Sequence, residues 1–140
     1  MTESATQLLD ASAFLAYLTN EPGADLVTDA IAGGAVIATV NLAEALSTLA
    51  ARGQDPGAVA LDLTSRGLLD GAITVEPFTT IDAIEAARLR PLTSSAGLSL
   101  ADRSCLAVAR RLSTVVLTAD RAWDGLALGI DVRLIRSPAQ

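Results

Sequence analysis

The sequence contains no histidine and no lysine; all ten basic residues are arginines. Without histidine there is no imidazole base and no Ser-His-Asp triad. Without lysine there is no Walker-A phosphate loop. The missing lysine also counts against receiver-type phosphotransfer domains, which pair one with an acidic pocket. Cysteine is reduced to Cys105, which cannot close an internal disulfide. That suits a reducing compartment, and a cytoplasmic location is expected. A zinc site lacks its usual nitrogen and sulfur ligands. Aromatic residues are only 3% of the chain, so Ala, Leu, Val and Ile must build the core. Carboxylates, hydroxyls and arginines remain to do chemistry. The net charge of −6 opposes non-specific binding of nucleic acid. A nucleic-acid substrate would need a local arginine cluster or a bridging metal.

Against these absences stands a large apolar share, 51%, with 19% charged residues, which permits a sizeable core and excludes a disordered chain. The length of 140 residues fits a single domain over 1–140. The opening residues 1–4 carry no basic region followed by an apolar run, so no signal peptide is expected. Residues 30–51 hold only one charge, Glu44. Gly33, Gly34 and the cap-like Asn41 interrupt that run, and alanine dominates it, so it reads as a buried strand followed by a helix and not as a membrane span.

Short β-branched strands are expected over 7–10, 35–38, 73–75, 114–118 and 132–135. Helices are expected over 12–19, 23–32, 41–52, 56–66, 81–88, 100–112 and 121–128. This alternation predicts an α/β fold with a parallel sheet and helices on both faces. Ligands of such sheets bind beyond the carboxyl ends of the strands. Asp10 follows the first strand and Asp120 the fourth, so both point to that edge. Glu44 and Asp102 each fall in the first turn of an expected helix.

Four converging carboxylates without a lysine would repel one another strongly. Mg²⁺ or Mn²⁺, which prefer oxygen ligands, would resolve the conflict and activate water for phosphodiester cleavage. Each acid also has a structural reading. Asn41-Leu42-Ala43-Glu44, Ser99-Leu100-Ala101-Asp102 and Thr79-Thr80-Ile81-Asp82 all match a capping box. No function is assigned to Asp82. Asp120 suits a helix N-cap, and Glu44 lies opposite an apolar stripe, as a solvated residue would. Asp10 has no standard structural task beyond turn formation. Cys105, at helical spacing with Ala101, Val108 and Leu112, reads as a buried apolar residue and not a nucleophile.

The segments around these acids carry a resemblance. Leu8-Leu9-Asp10-Ala11-Ser12-Ala13 resembles the opening motif of PIN domains. Asn41-Leu42-Ala43-Glu44 resembles the second motif, and Leu98-Ser99-Leu100-Ala101-Asp102 with Cys105-Leu106-Ala107 the third. Leu117-Thr118-Ala119-Asp120-Arg121-Ala122-Trp123 is similar to the fourth as found in VapC-type toxins of type II toxin–antitoxin systems. Order and separation match over nearly the whole chain.

The resemblance implies a three-layer α/β/α fold around a parallel sheet, and RNA cleavage dependent on Mg²⁺ or Mn²⁺. By motif position, Asp10 and Asp102 are the principal metal ligands and Asp120 a further one. Glu44 is a ligand or orients the attacking water. Ser12, Thr118 and Asp124 are candidate accessory residues; Ser12 is also a candidate N-cap. Arg121 and Arg103, each beside a proposed ligand, are candidate RNA contacts, with Arg88 and Arg90 as helpers. Arg110 and Arg111 are assigned to a solvated helix face. Trp123 reads as a core anchor before a base-stacking platform. The nearly all-apolar first helix, with Phe14, Leu15, Tyr17 and Leu18, is either buried or faces a partner. The resemblance implies RNA as substrate, a homodimer and a cognate antitoxin, with no membrane association. The competing expectations are a non-toxin PIN nuclease of RNA processing, a non-catalytic PIN-like binding module, and a generic Mg²⁺-binding α/β domain with phosphatase-like chemistry. The missing lysine and the lack of an Asp-x-Asp at the first strand disfavour the last.

Overall fold

The computed structural model describes residues 6–136. Residues 1–4, read above for a signal peptide, lie outside them. The elements are β1 (Gln7–Leu9), α1 (Ala11–Leu18), α2 (Ala24–Ala32), β2 (Ala35–Ala38), α3 (Thr39–Ala51), α4 (Pro56–Ser65), β3 (Ile73–Glu76), α5 (Thr80–Thr93), α6 (Leu100–Leu112), β4 (Val115–Thr118) and β5 (Val132–Leu134). The five strands form one parallel sheet in the order β3-β2-β1-β4-β5.

Strand pleating divides the core in two. Leu9, Ala35, Ile37, Ile73 and Leu117 face α1, α2, α3 and α4. Their neighbours Leu8, Val36 and Val116 face α5 and α6, joined by Trp123. Side chains of successive strand residues point to opposite faces, so the inner strands β1, β2 and β4 serve both layers, while the edge strands β3 and β5 each feed one. The expected α/β/α architecture is therefore present. Trp123 is fully buried in the second cluster and is a core anchor. Phe14 is buried, with Leu15, Tyr17 and Leu18 half-buried around it.

The strand order positions the site. From β1 the chain winds outward through β2 and β3, then returns to β4 on the other side of β1. The switch of direction falls between β1 and β4, where the crevice of a doubly wound sheet opens. Leu9 pairs with Leu117 in register, so Asp10 emerges beside Thr118.

Several local expectations are corrected. Helix α3 begins at Thr39, directly after β2, with Ala38 at its N-cap and no side-chain cap bond. Asn41 is therefore inside the helix, and the Asn41/Glu44 capping box does not form. Helix α5 does not stop before Pro91 but runs to Thr93. Its last turn persists because Leu89 and Thr93 are buried, and the Thr93 hydroxyl donates to the Leu89 carbonyl at 2.8 Å. The helix expected over 121–128 is only a 3₁₀ turn, Arg121–Trp123. The chain leaves helical conformation at Asp124, whose ψ is 133°, and turns at Gly125, whose φ is 78°. Arg110 and Arg111 lie on an exposed helix face, as expected, but they are also ion-paired. Arg111 pairs with Asp82 and Glu76, and Arg110 with Glu85, clamping α6 to α5 and to the end of β3. Among the described residues no helix is long and apolar enough to cross a membrane.

Candidate active site

Asp10 ends β1 and is itself the N-cap of α1, which supplies the structural task the sequence did not suggest. Its Oδ1 accepts from the Ala13 N–H at 2.8 Å and from the Ser12 hydroxyl at 2.7 Å. Its Oδ2 accepts from the Thr118 hydroxyl. Ser12 lies in the first turn of α1 and is not the cap. Its hydroxyl oxygen accepts from the Ala119 N–H at 2.9 Å, while that of Thr118 accepts from the Asp120 N–H at 3.0 Å. Two hydroxyls thus stitch the carboxylate ending β1 to the chain leaving β4. They also hold the Asp120 backbone in place.

The other acids arrive from two helices and one turn. Asp102 and Ser99 form a reciprocal capping box at the start of α6, with bonds of 2.9 and 3.1 Å. Asp120 caps the 3₁₀ turn by accepting from Ala122 N–H at 2.9 Å. Glu44 sits in the second turn of α3 and is half-buried, not solvated as its helical position suggested. The residue that brings α3 to α6 is Asn41. Fully buried, it donates through Nδ2 to the Ala101 carbonyl at 3.1 Å. The motif flagged Asn41 as a cap; its helix-bridging role was missed, because nothing in the sequence places α6 across from it.

Asp10, Glu44, Asp102 and Asp120 line one cleft of about 320 Å³, together with Ser12, Leu15, Thr48 and Ser99. Thr48 and Ser99 were not singled out as site residues, and they carry no signal beyond proximity to motifs. Asp124 is exposed and outside the cleft lining. Arg121 is exposed beside Asp120. Arg103 is turned away from its expected role at the acids: it is buried, and its Nη1 donates to the Ala86 carbonyl at 2.8 Å.

The electrostatics record the crowding of like charge. Burial pushes the Asp10 carboxyl up to about 6, against the lowering bonds from Thr118, Ala13 and Ser12, with the Asp102 charge adding to the rise. Burial and then the Asp102 charge raise Glu44, opposed by Asn41. Cys105 lies fully buried behind these acids, and burial followed by the charges of Asp10, Asp102 and Glu44 pushes its thiol well up, so it remains an inert thiol.

Every side-chain donor around the cleft is an oxygen, as hard divalent cations require. Among the described residues, no group of three or more Asp, Glu or Cys side chains is drawn close enough to form a ready-made metal cage. The donor set suits a hard cation in kind.

Comparison with known proteins agrees with this geometry. A family model of the PIN domain matches residues 8–128. No curated protein matches by sequence. Among solved structures, DNA-bound VapBC from Salmonella typhimurium is 17% identical with a TM-score of 0.70, over 94% of this chain and 99% of that one. VapC20 from Mycobacterium tuberculosis, described as a sarcin-ricin loop cleaving toxin, is 17% identical with a TM-score of 0.66, over 83% and 91%. VapBC-5 from the same organism is 25% identical with a TM-score of 0.61, over 96% and 100%. With the family match running through both cores and all four cleft acids, the chain belongs to the PIN-domain family.

Proposed function

We propose that this protein is an endoribonuclease dependent on Mg²⁺ or Mn²⁺ and the toxin of a toxin–antitoxin pair. The observation that carries the reading is the convergence of Asp10, Glu44, Asp102 and Asp120 on one cleft at the switch point of a PIN-family sheet. The similar structures include toxin–antitoxin complexes and a toxin that cleaves an RNA loop.

Asp10 and Asp102 would hold the cation, with Asp120 as a further ligand. When bound, a divalent ion lowers the pKa of water and neutralises charge on the leaving oxygen. The chain's own residues do the rest. Ser12, Thr118 and the Ala13 N–H fix the Asp10 carboxylate in one orientation. The Ser99 N–H does the same for Asp102. Glu44, raised toward the working pH, orients the attacking water and accepts its proton. In-line attack on phosphorus then yields a 5′-phosphate and a 3′-hydroxyl.

An antitoxin seat is supported by a groove of about 460 Å³ between α1, α3 and α4, lined by Leu18, Leu49, Val59 and Leu63 among others. A homodimer is part of the same reading. One observation favours a second reading, an RNA-binding PIN module without catalysis: the acids form no ready-made cage among the described residues.

Inducible expression of the wild type and of the Asp10→Ala/Asp102→Ala double variant, with mapping of cellular RNA 5′ ends, separates the two. The toxin reading expects growth arrest and a few discrete 5′-phosphate cuts with the wild type only. Harmless expression of both folded proteins, without cuts, would leave the binding module.

A further inference from the structure

A second cleft adjoins the acidic one and has the opposite charge. It measures about 370 Å³ and lies between the end of α5, the 3₁₀ turn Ser94–Ala96 and the start of α6. Arg90, Ser94, Gly97, Ser99, Leu100 and Arg103 line it, and no acid does. Ser99 lines both clefts, so the two meet at that residue.

Arg103 is the unusual residue. It is 7% exposed, yet its guanidinium is bonded only through Nη1 to the Ala86 carbonyl, and no carboxylate among the described residues pairs with it. Arg66, Arg88, Arg110, Arg111 and Arg136 all have acid partners. A buried cation without a counter-charge is costly, because its lost hydration is repaid only in part by one carbonyl. An anion entering the cleft would supply the missing partner, and a guanidinium matches phosphate geometry. Arg90 stands exposed on the same rim, likewise without a carboxylate partner among the described residues.

We propose that the Arg90/Arg103 cleft binds a backbone phosphate of the nucleic-acid strand, next to the one cut in the acidic cleft. The proposal rests on the nuclease reading above. A chain of net charge −6 with four acids in its cleft repels a polyanion, so strand binding requires local cations beside the acids. This cleft provides two, one residue removed from the cutting site. Leu100, 63% exposed on its rim, offers an apolar surface to the adjoining sugar or base.

The test is fluorescence anisotropy with a labelled RNA oligonucleotide in EDTA, which withholds the metal that cleavage requires, over a series of salt concentrations. Arg90→Gln and Arg103→Gln are compared with Arg66→Gln, the same charge change at the exposed C-cap of α4, outside both clefts. Arg90→Gln and Arg103→Gln should each weaken binding by about three- to tenfold and lower the slope of log affinity against log salt by about 0.7, the loss of one single-strand phosphate contact. Arg66→Gln should stay within about twofold of wild type. Should Arg103→Gln fail to fold, Arg90 against Arg66 still decides. Equal affinities and slopes for Arg90→Gln and Arg66→Gln, in a protein that binds and cuts RNA, would overturn this inference alone. A wild type that neither binds nor cuts would overturn the nuclease reading with it. Inorganic phosphate provides the last arm. Displacement should need at least about tenfold more phosphate than oligonucleotide; equal potency would mean a site for free anions and not for a strand.

Discussion

Helices α5 and α6 begin with the same device and differ in what faces it. Thr79 and Asp82 form one reciprocal capping box, Ser99 and Asp102 the other. Across from Asp82 stands Arg111, which reaches both carboxylate oxygens at 2.8 and 3.0 Å. Burial pushes the Asp82 carboxyl up, but the bonds from Arg111 and Thr79 outweigh it and hold the group below its ordinary value. Across from Asp102 the cleft holds Asp10, Glu44 and Asp120 instead. Asp82 is therefore a neutralised structural acid, and Asp102 belongs to a cluster of acids lining one cleft. A capping motif does not distinguish the two; the charge of the opposing element does.

The sharpest way to break this contrast is to remove one charge from each box. Asn still accepts the cap bond, so Asp102→Asn should keep the fold while RNA cleavage falls by at least about a hundredfold, as expected when a cation loses a principal ligand. Asp82→Asn should leave cleavage within about twofold. It should cost about 1–2 kcal/mol of stability, measured by urea unfolding, because Arg111 loses a charge-assisted partner while keeping Glu76. A large loss of activity in Asp82→Asn with small loss in Asp102→Asn would reverse the assignment.

The two regions should also respond to pH in opposite directions. Asp10, at about 6 in the folded metal-free protein against an ordinary value of 3.8, binds its proton more tightly when folded. Its contribution to stability is greatest below the ordinary value and is lost as pH rises through about 6, by about 3 kcal/mol in total. Asp82 is lowered, so its contribution is present above the ordinary carboxylate value and is lost as pH falls through its folded value. Metal-free protein should thus gain stability between pH 7 and pH 5, and Asp10→Asn should flatten that rise. A smaller effect is expected from Thr118→Val, which removes the hydroxyl joining Asp10 to the Asp120 backbone. It should cost about 1–2 kcal/mol and move the Asp10 titration midpoint further up, read from the pH dependence of melting.

Much of this was legible in the residues. Period and composition located all five strands, and strand ends alone placed Asp10 and Asp120 at one edge. The Ser99/Asp102 and Thr79/Asp82 boxes formed as their spacing implies. What escaped depends on contacts between distant segments. Asn41 looks like a cap, but α3 starts two residues earlier because it grows directly out of β2. Arg111 lies on an exposed face, but nothing in the sequence brings Asp82 across from it, and nothing in the sequence brings the Ala86 carbonyl to Arg103. Gly125, with a φ of 78°, is a local turn signal immediately after Asp124, where the helix expected over 121–128 has already ended.

The central claim is that the cleft acids form a divalent cation site, and titration of Mn²⁺ into the metal-free protein, followed by the electron paramagnetic resonance signal of the free ion, addresses it most directly. Saturable uptake at or below millimolar Mn²⁺ is expected for the wild type and for Asp82→Asn, competed by Mg²⁺, with strongly weakened uptake by Asp102→Asn. Uptake unchanged in Asp102→Asn, or none by the folded wild type at millimolar metal, would contradict it.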